Sequence, residues 1–88
     1  MDGNAFLINP LDNVVVVLKK IKEGIRVNWT SEGGIEARTD IPRNHKMAIK
    51  KISENKPIVK YGEKIGLARE PIHPGDWVHV HNIKVEEG

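Results

Sequence analysis

The stretch WVHVHN, residues 77–82, places two histidines two positions apart and follows the second with an amide. On an extended strand alternate residues share a face, so Trp77, His79 and His81 point one way while Val78 and Val80 fill the core. The two imidazoles then stand roughly 6.5–7 Å apart along the backbone. From there they can converge on one metal ion, grip a carboxylate or hydroxyl group, or relay a proton. The same residues also describe a partly exposed strand end with two solvated histidines. A stable metal site needs three or four protein ligands, so the pair leaves metal ligation open.

Two further clusters carry chemical groups. KYGEKIG, residues 60–66, supplies Lys60 and Tyr61, which alternate sides of a strand and share a ligand only across a bulge. Gly62 offers a place for such a bulge or for close backbone approach. A hairpin with a lysine lying along the surface fits these residues equally well. NHK, residues 44–46, sets His45 and Lys46 just past a tight turn, either to meet an anionic group or simply to stand exposed. His73 lies in a similar turn. Other chemistries lack their parts: there is no cysteine, no GxGxxG and no Walker-type loop, and neither Ser31 nor Ser53 sits in a nucleophile elbow. An autonomous hydrolase is not expected.

The frame that must position these groups is small. With 88 residues, 39% hydrophobic and only Phe6, Trp29, Tyr61 and Trp77 as aromatics, the chain is one domain over residues 1–88 with little interior for a closed active site. The absence of cysteine rules out a disulfide framework and fits a reducing cytosol, so a cytoplasmic location is expected. MDGNAFLINP has neither the basic n-region nor the apolar run of a secretory signal, and Val14 to Leu18 is too short to span a bilayer. Net charge is +2, but the basic residues are interleaved with acids, as in KKIKEG and KYGEK, so no nucleic-acid partner is expected. A small exposed core leaves homo-oligomerisation open.

No helical periodicity runs along the chain. Short β-branched runs alternate with Gly, Pro and Asn, which predicts a mainly β fold of short strands and tight turns, with room for one short helical turn. AFLI (5–8) and VVVVL (14–18) read as strands joined by the turn NPLDN, although VVVV suits a helix lead-in equally well. TSEGGIEAR (30–38) reads as a hairpin tip or loop, and IVKYGEKIGLA (58–68) as two strands around Gly62–Lys64. One motif recurs four times: IKEGIRV from Ile21, IPRNHKM from Ile41, ISENKPI from Ile52 and IHPGDWV from Ile72. Its fourth position is always Gly or Asn (Gly24, Asn44, Asn55, Gly75), the residues that best tolerate positive φ. The first and third copies are 31 residues apart, as are the second and fourth, which predicts an internal duplication.

The combination IPRNHKMAIKKISENKPIVKYGEKIG followed by IHPGDWVHVHN resembles the small N-terminal domain of the altronate and galactarate dehydratases. It is also similar to the alpha subunit of sulfolactate sulfo-lyase, from the same family. Asn44 and Asn55 stand where the family pattern usually has Gly, and VHVHN is intact at Val78–Asn82. The resemblance implies a SAF-type β-clip and a share in a lyase reaction: β-elimination of water from an altronate- or galactarate-type acid, or of sulfite from sulfolactate. It implies a large catalytic lyase subunit as partner and a divalent metal, iron or manganese, in the assembled enzyme, with no metal assigned to this domain. It implies that His79 and His81 take part in catalysis, and that His45, Lys46, Lys60, Tyr61 and Asn82 bind the sugar acid. A non-catalytic SAF binding module is the alternative from a different class.

Overall fold

The structure, a computed structural model, describes residues 3–30 and 34–85. Among these residues it has nine short strands and no helix: β1 (Ala5–Phe6), β2 (Val14–Val17), β3 (Arg26–Val27), β4 (Ile35–Glu36), β5 (Lys46–Ala48), β6 (Pro57–Lys60), β7 (Glu63–Ala68), β8 (Trp77–Val78) and β9 (Ile83–Lys84). The mainly β, SAF-type expectation holds, without the single helical turn. The strands form three antiparallel sheets, in the orders β1-β2-β5-β8, β3-β4 and β6-β7-β9. AFLI contributes only two residues to its sheet. β3 and β4 pair with each other, so part of the segment read as a hairpin tip or loop, residues 30–38, is strand, while its residues 31–33 lie outside the described residues.

The run VVVV becomes a strand because both of its faces are buried. Val15 and Val17 pack into one hydrophobic cluster with Ile21, Val27, Ile41 and Met47. Val14 faces a second cluster that contains Ala48, Ile58, Ile72 and Val78. Successive strand residues point to opposite faces, so a sheet sandwiched between two clusters needs a continuous apolar run. The four-stranded sheet is that dividing wall.

The duplication appears in the hydrogen bonds. Ile21 and Ile41 exchange both backbone bonds (2.9 and 2.8 Å), and so do Ile52 and Ile72 (2.9 and 2.8 Å), each 31 residues on. Gly24 N–H donates to the Ala37 carbonyl as Asn55 N–H does to Ala68; Asn44 N–H donates to Val17 as Gly75 N–H does to Ala48. All four motif copies close as turns in which the N–H of the fifth motif residue bonds the carbonyl of the second, at 3.0 to 3.1 Å. Their fourth residues adopt the left-handed backbone, with φ of 87° at Gly24, 68° at Asn44, 69° at Asn55 and 96° at Gly75. The sequence expectation of Gly or Asn is met at each.

At Gly75 two demands coincide. Beyond its φ of 96°, a Cβ there would lie 2.5 Å from the Glu36 carbonyl oxygen. Gly75→Ala is therefore expected to cost about 2 kcal/mol or more, combining backbone strain with a backbone clash. Asn44→Gly keeps the turn and is expected to shift stability by less than about 0.5 kcal/mol. Urea unfolding of the two variants against the parent chain checks both values.

Candidate functional site

The imidazole pair does not sit on one continuous strand, and here the sequence expectation is corrected. β8 ends at Val78, and residues 79–82 form a turn closed by Asn82 N–H to the His79 carbonyl at 3.0 Å. Val78 is fully buried as expected, but Val80 is 72% exposed at the turn tip and fills no core. The cause is Asn82. Its Oδ1 accepts the His79 N–H (2.9 Å) and its Nδ2 donates to the Trp77 carbonyl (2.8 Å), so the buried amide supplies bonds that would otherwise continue a ladder.

The rings nevertheless gather on one edge. Trp77 stacks on His79 with 5.6 Å between centroids and 9° between planes, and meets His81 at 5.0 Å. His45 arrives from the turn before β5, with its ring 4.6 Å from His79 and 5.7 Å from Trp77. The Trp77 Nε1–H donates to His45 Nδ1 at 3.1 Å. The partners meet because β5 and β8 pair with Met47 opposite Trp77 and Lys46 opposite Val78. His73 stays outside the group, in a turn where its N–H bonds Asp76 Oδ2 at 2.7 Å.

Lys46 lies within electrostatic reach of His79, and Lys60 within reach of Lys46. Burial lowers the Lys46 pKa, and the neighbouring charge of Lys60 lowers it further. Lys60 and Tyr61 do not alternate across a strand: Tyr61 enters the β6–β7 turn at φ 61°, and Lys60 Nζ lies 5.0 Å from its ring centroid. The register shift in this hairpin falls at Ile58/Val59, ahead of Gly62. The turn is held by Asp12, which is buried and whose carboxylate accepts N–H bonds from Asn9 (3.1 Å), Tyr61 (3.1 Å) and Gly62 (2.7 Å). Neither Asp12 nor the Trp77–His45 bond was among the sequence candidates. The one available signal for Asp12 was a lone acid inside the turn NPLDN.

The groups that act electrostatically on His79 are bases: His45, Lys46 and His81. His79 titrates below the ordinary histidine range, first because of desolvation and then because of His45, Lys46 and His81. It is therefore predominantly neutral at pH 7, with a nitrogen free to accept a proton. The edge can hold an anionic oxygen through its lysines while presenting an imidazole base.

The same residues do not fit a divalent metal. Among the described residues no three His, Asp or Glu side chains converge as a ligand group. Nδ1 of His45 is taken by the indole. A groove of about 420 Å³ beside the rings is lined by Thr39, Asp40, Glu70, Asp76, Trp77 and His81 among others. Two of its carboxylates are engaged, Asp40 by the Glu23 N–H and Lys22, and Asp76 by Arg38 and the His73 N–H.

The described residues thus make a small all-β domain of the class that carries an imidazole-bearing edge beside a groove. The comparisons agree with that class. The chain belongs to the family described as the altronate/galactarate dehydratase SAF domain, which it matches over residues 3–86. It is 44% identical over 77 residues to altronate dehydratase of Bacillus subtilis and 32% identical over 80 residues to galactarate dehydratase of Escherichia coli, covering 88% and 91% of this chain. It is 30% identical over 90 residues to (2R)-sulfolactate sulfo-lyase subunit alpha of Chromohalobacter salexigens, covering 92% of this chain. The chain spans 15% of the length of each of those dehydratases and 94% of the sulfo-lyase subunit. No helix among the described residues is long and apolar enough to cross a membrane.

The causes of the His79 shift define a titration. Lys46→Met removes a nearby positive charge and is expected to raise the His79 pKa, and binding of a carboxylate is expected to raise it also. Imidazole resonances followed by NMR from pH 4 to 8 report both movements. A His79 that titrates like free histidine, unmoved by Lys46→Met, would remove the electrostatic account.

Proposed function

We propose that this chain is a SAF domain, spanning residues 1–88, that completes the active site of a larger lyase acting on a sugar acid of the altronate or galactarate type. The observation that carries the reading is the edge where His45, His79 and His81 gather around Trp77, with Lys46 in electrostatic reach of His79 and Lys60 of Lys46. β-Elimination from such an acid removes the proton α to a carboxylate and expels the β-hydroxyl, which requires a base, an acid and stabilisation of the enolate. In this reading Lys46 and Lys60 attract the carboxylate, with Tyr61 beside them. His79 is the base and His81, at the exposed end of the turn, exchanges protons with solvent or the leaving group. Asn82 serves by fixing the turn that carries both imidazoles. The large catalytic subunit supplies the remaining walls. Any iron or manganese of the assembled enzyme belongs to that subunit, since the donors here do not form a set for it. The reading places the protein in the cytoplasm.

Sulfite elimination from sulfolactate is the second reading. It is supported by the 30% identity to a sulfo-lyase alpha subunit. The higher identity to altronate dehydratase favours water as the leaving group.

Affinity purification of the tagged chain from its native lysate is expected to recover a large partner in near-equal amount, active on altronate, galactarate or sulfolactate. Replacing both His79 and His81 by Ala is expected to lower kcat of that assembly by about 10²-fold or more, the scale of a lost general base, without releasing the partner. Full activity of the double variant would leave the domain a scaffold. Recovery of the chain alone, without lyase activity, would favour a pure binding module.

A further inference from the structure

The bond between Trp77 and His45 has chemical content beyond packing. The indole Nε1 carries a hydrogen and has no lone pair to offer, so it acts as a donor only. At 3.1 Å its partner, Nδ1 of His45, must therefore be the bare, accepting nitrogen. A neutral imidazole with a bare Nδ1 carries its hydrogen on Nε2. The neighbouring ring is constrained differently. Trp77 holds His79 by stacking, with 9° between the planes, and among the described residues no hydrogen bond engages a nitrogen of the His79 ring. One side chain thus fixes the hydrogen of the first imidazole and only the plane of the second, while the two rings lie 4.6 Å apart.

We propose that Trp77 is a positioning residue that commits His45 to donating from Nε2 to an oxygen of the acid substrate, leaving His79 as the imidazole that accepts a proton. The assignment rests on the reading that this edge meets a sugar acid and deepens it by dividing the work between two residues of the same type. Two interchangeable imidazoles would each spend part of their time in the wrong tautomer. With Nδ1 of His45 occupied, the pair offers one donor and one acceptor side by side. That pattern suits adjacent oxygen and C–H groups of a hydroxy acid. Reduced conformational and tautomeric choice before binding is preorganisation, and it acts on each encounter with substrate. Trp77 touches the imidazoles and is assigned no contact with the reacting atoms.

The test is NMR on the full 88-residue chain labelled with ¹⁵N. The expected result is a His45 ring with hydrogen on Nε2 and a scalar coupling across the hydrogen bond between Trp77 Nε1 and His45 Nδ1. A hydrogen on Nδ1, or an even mixture of tautomers, would overturn the proposal whatever the lyase reading proves to be. Trp77→Phe keeps an aromatic ring against His79 but removes the donor. It is expected to give His45 mixed tautomers and to weaken binding of L-tartrate, a small hydroxy dicarboxylate, about fivefold, the scale of one neutral hydrogen bond. Tartrate that shifts His79 but leaves the His45 Nε2 resonance unmoved at saturation would overturn the donor role. A missing lyase partner, with the His45 tautomer as stated, would count against the lyase reading alone. Should Trp77→Phe fail to fold, the tautomer and coupling in the parent chain still decide the assignment.

Discussion

The antiparallel pairing of β5 with β8 is the interaction on which the rest of the molecule depends. It sets Met47 opposite Trp77 and Lys46 opposite Val78. On one face this register closes the cluster around Met47, and on the other it buries Val78 against Ala48 and Ile58. It also determines which residues meet at the strand ends: His45, just before β5, comes beside His79, just after β8. A slip of one residue would send Trp77 to the opposite face and separate the imidazoles. Core packing and the chemistry of the edge are therefore selected by the same ladder.

The repeat explains why such a register is available. β2, the start of β5 and β8 recur at a spacing of 31 residues, and each pairs with the next in the same sense. The frame is symmetric but the site is not. His45 is matched one repeat later by Asp76, Lys46 by Trp77, and Ala48 by His79. The cluster of rings arises where two equivalent strands carry unlike residues, so the shared positions of each motif build the frame and the unlike positions build the edge proposed as the site.

Much of this was legible in the sequence. The Ile-x-x-(Gly/Asn) motif specified four turns because positive φ leaves few residue choices, and the structure has a left-handed residue at each. The match in spacing specified the duplication, and IPRNHKMA with VHVHN pointed to the family. The course of the chain after Val78 was not legible. Strict alternation over WVHVHN fits a strand, and only the reach of the Asn82 side chain to two backbone groups turns it aside. Tyr61 was misplaced for a similar reason: a buried carboxylate distant in sequence, Asp12, fixes its turn. Periodicity reports local preference, and in both places a polar side chain overrode it. Nor could spacing alone show that His45, which closes its turn, joins the rings while His73, which opens the equivalent turn one repeat later, does not.

The Asn82 clasp also has a consequence for the behaviour of the protein in crowded solution. β8 is the outermost strand of its sheet. The Asp76 carbonyl faces inward to the Ala48 N–H, so by alternation the Trp77 carbonyl faces outward, where an open edge would recruit a strand from another molecule. Asn82 occupies that carbonyl and also accepts the His79 N–H, so both groups are already paired. The amide that aims the imidazoles is thus also a stopper against edge-to-edge polymerisation, and changes that free the turn would open the sheet to self-association as they disperse the rings.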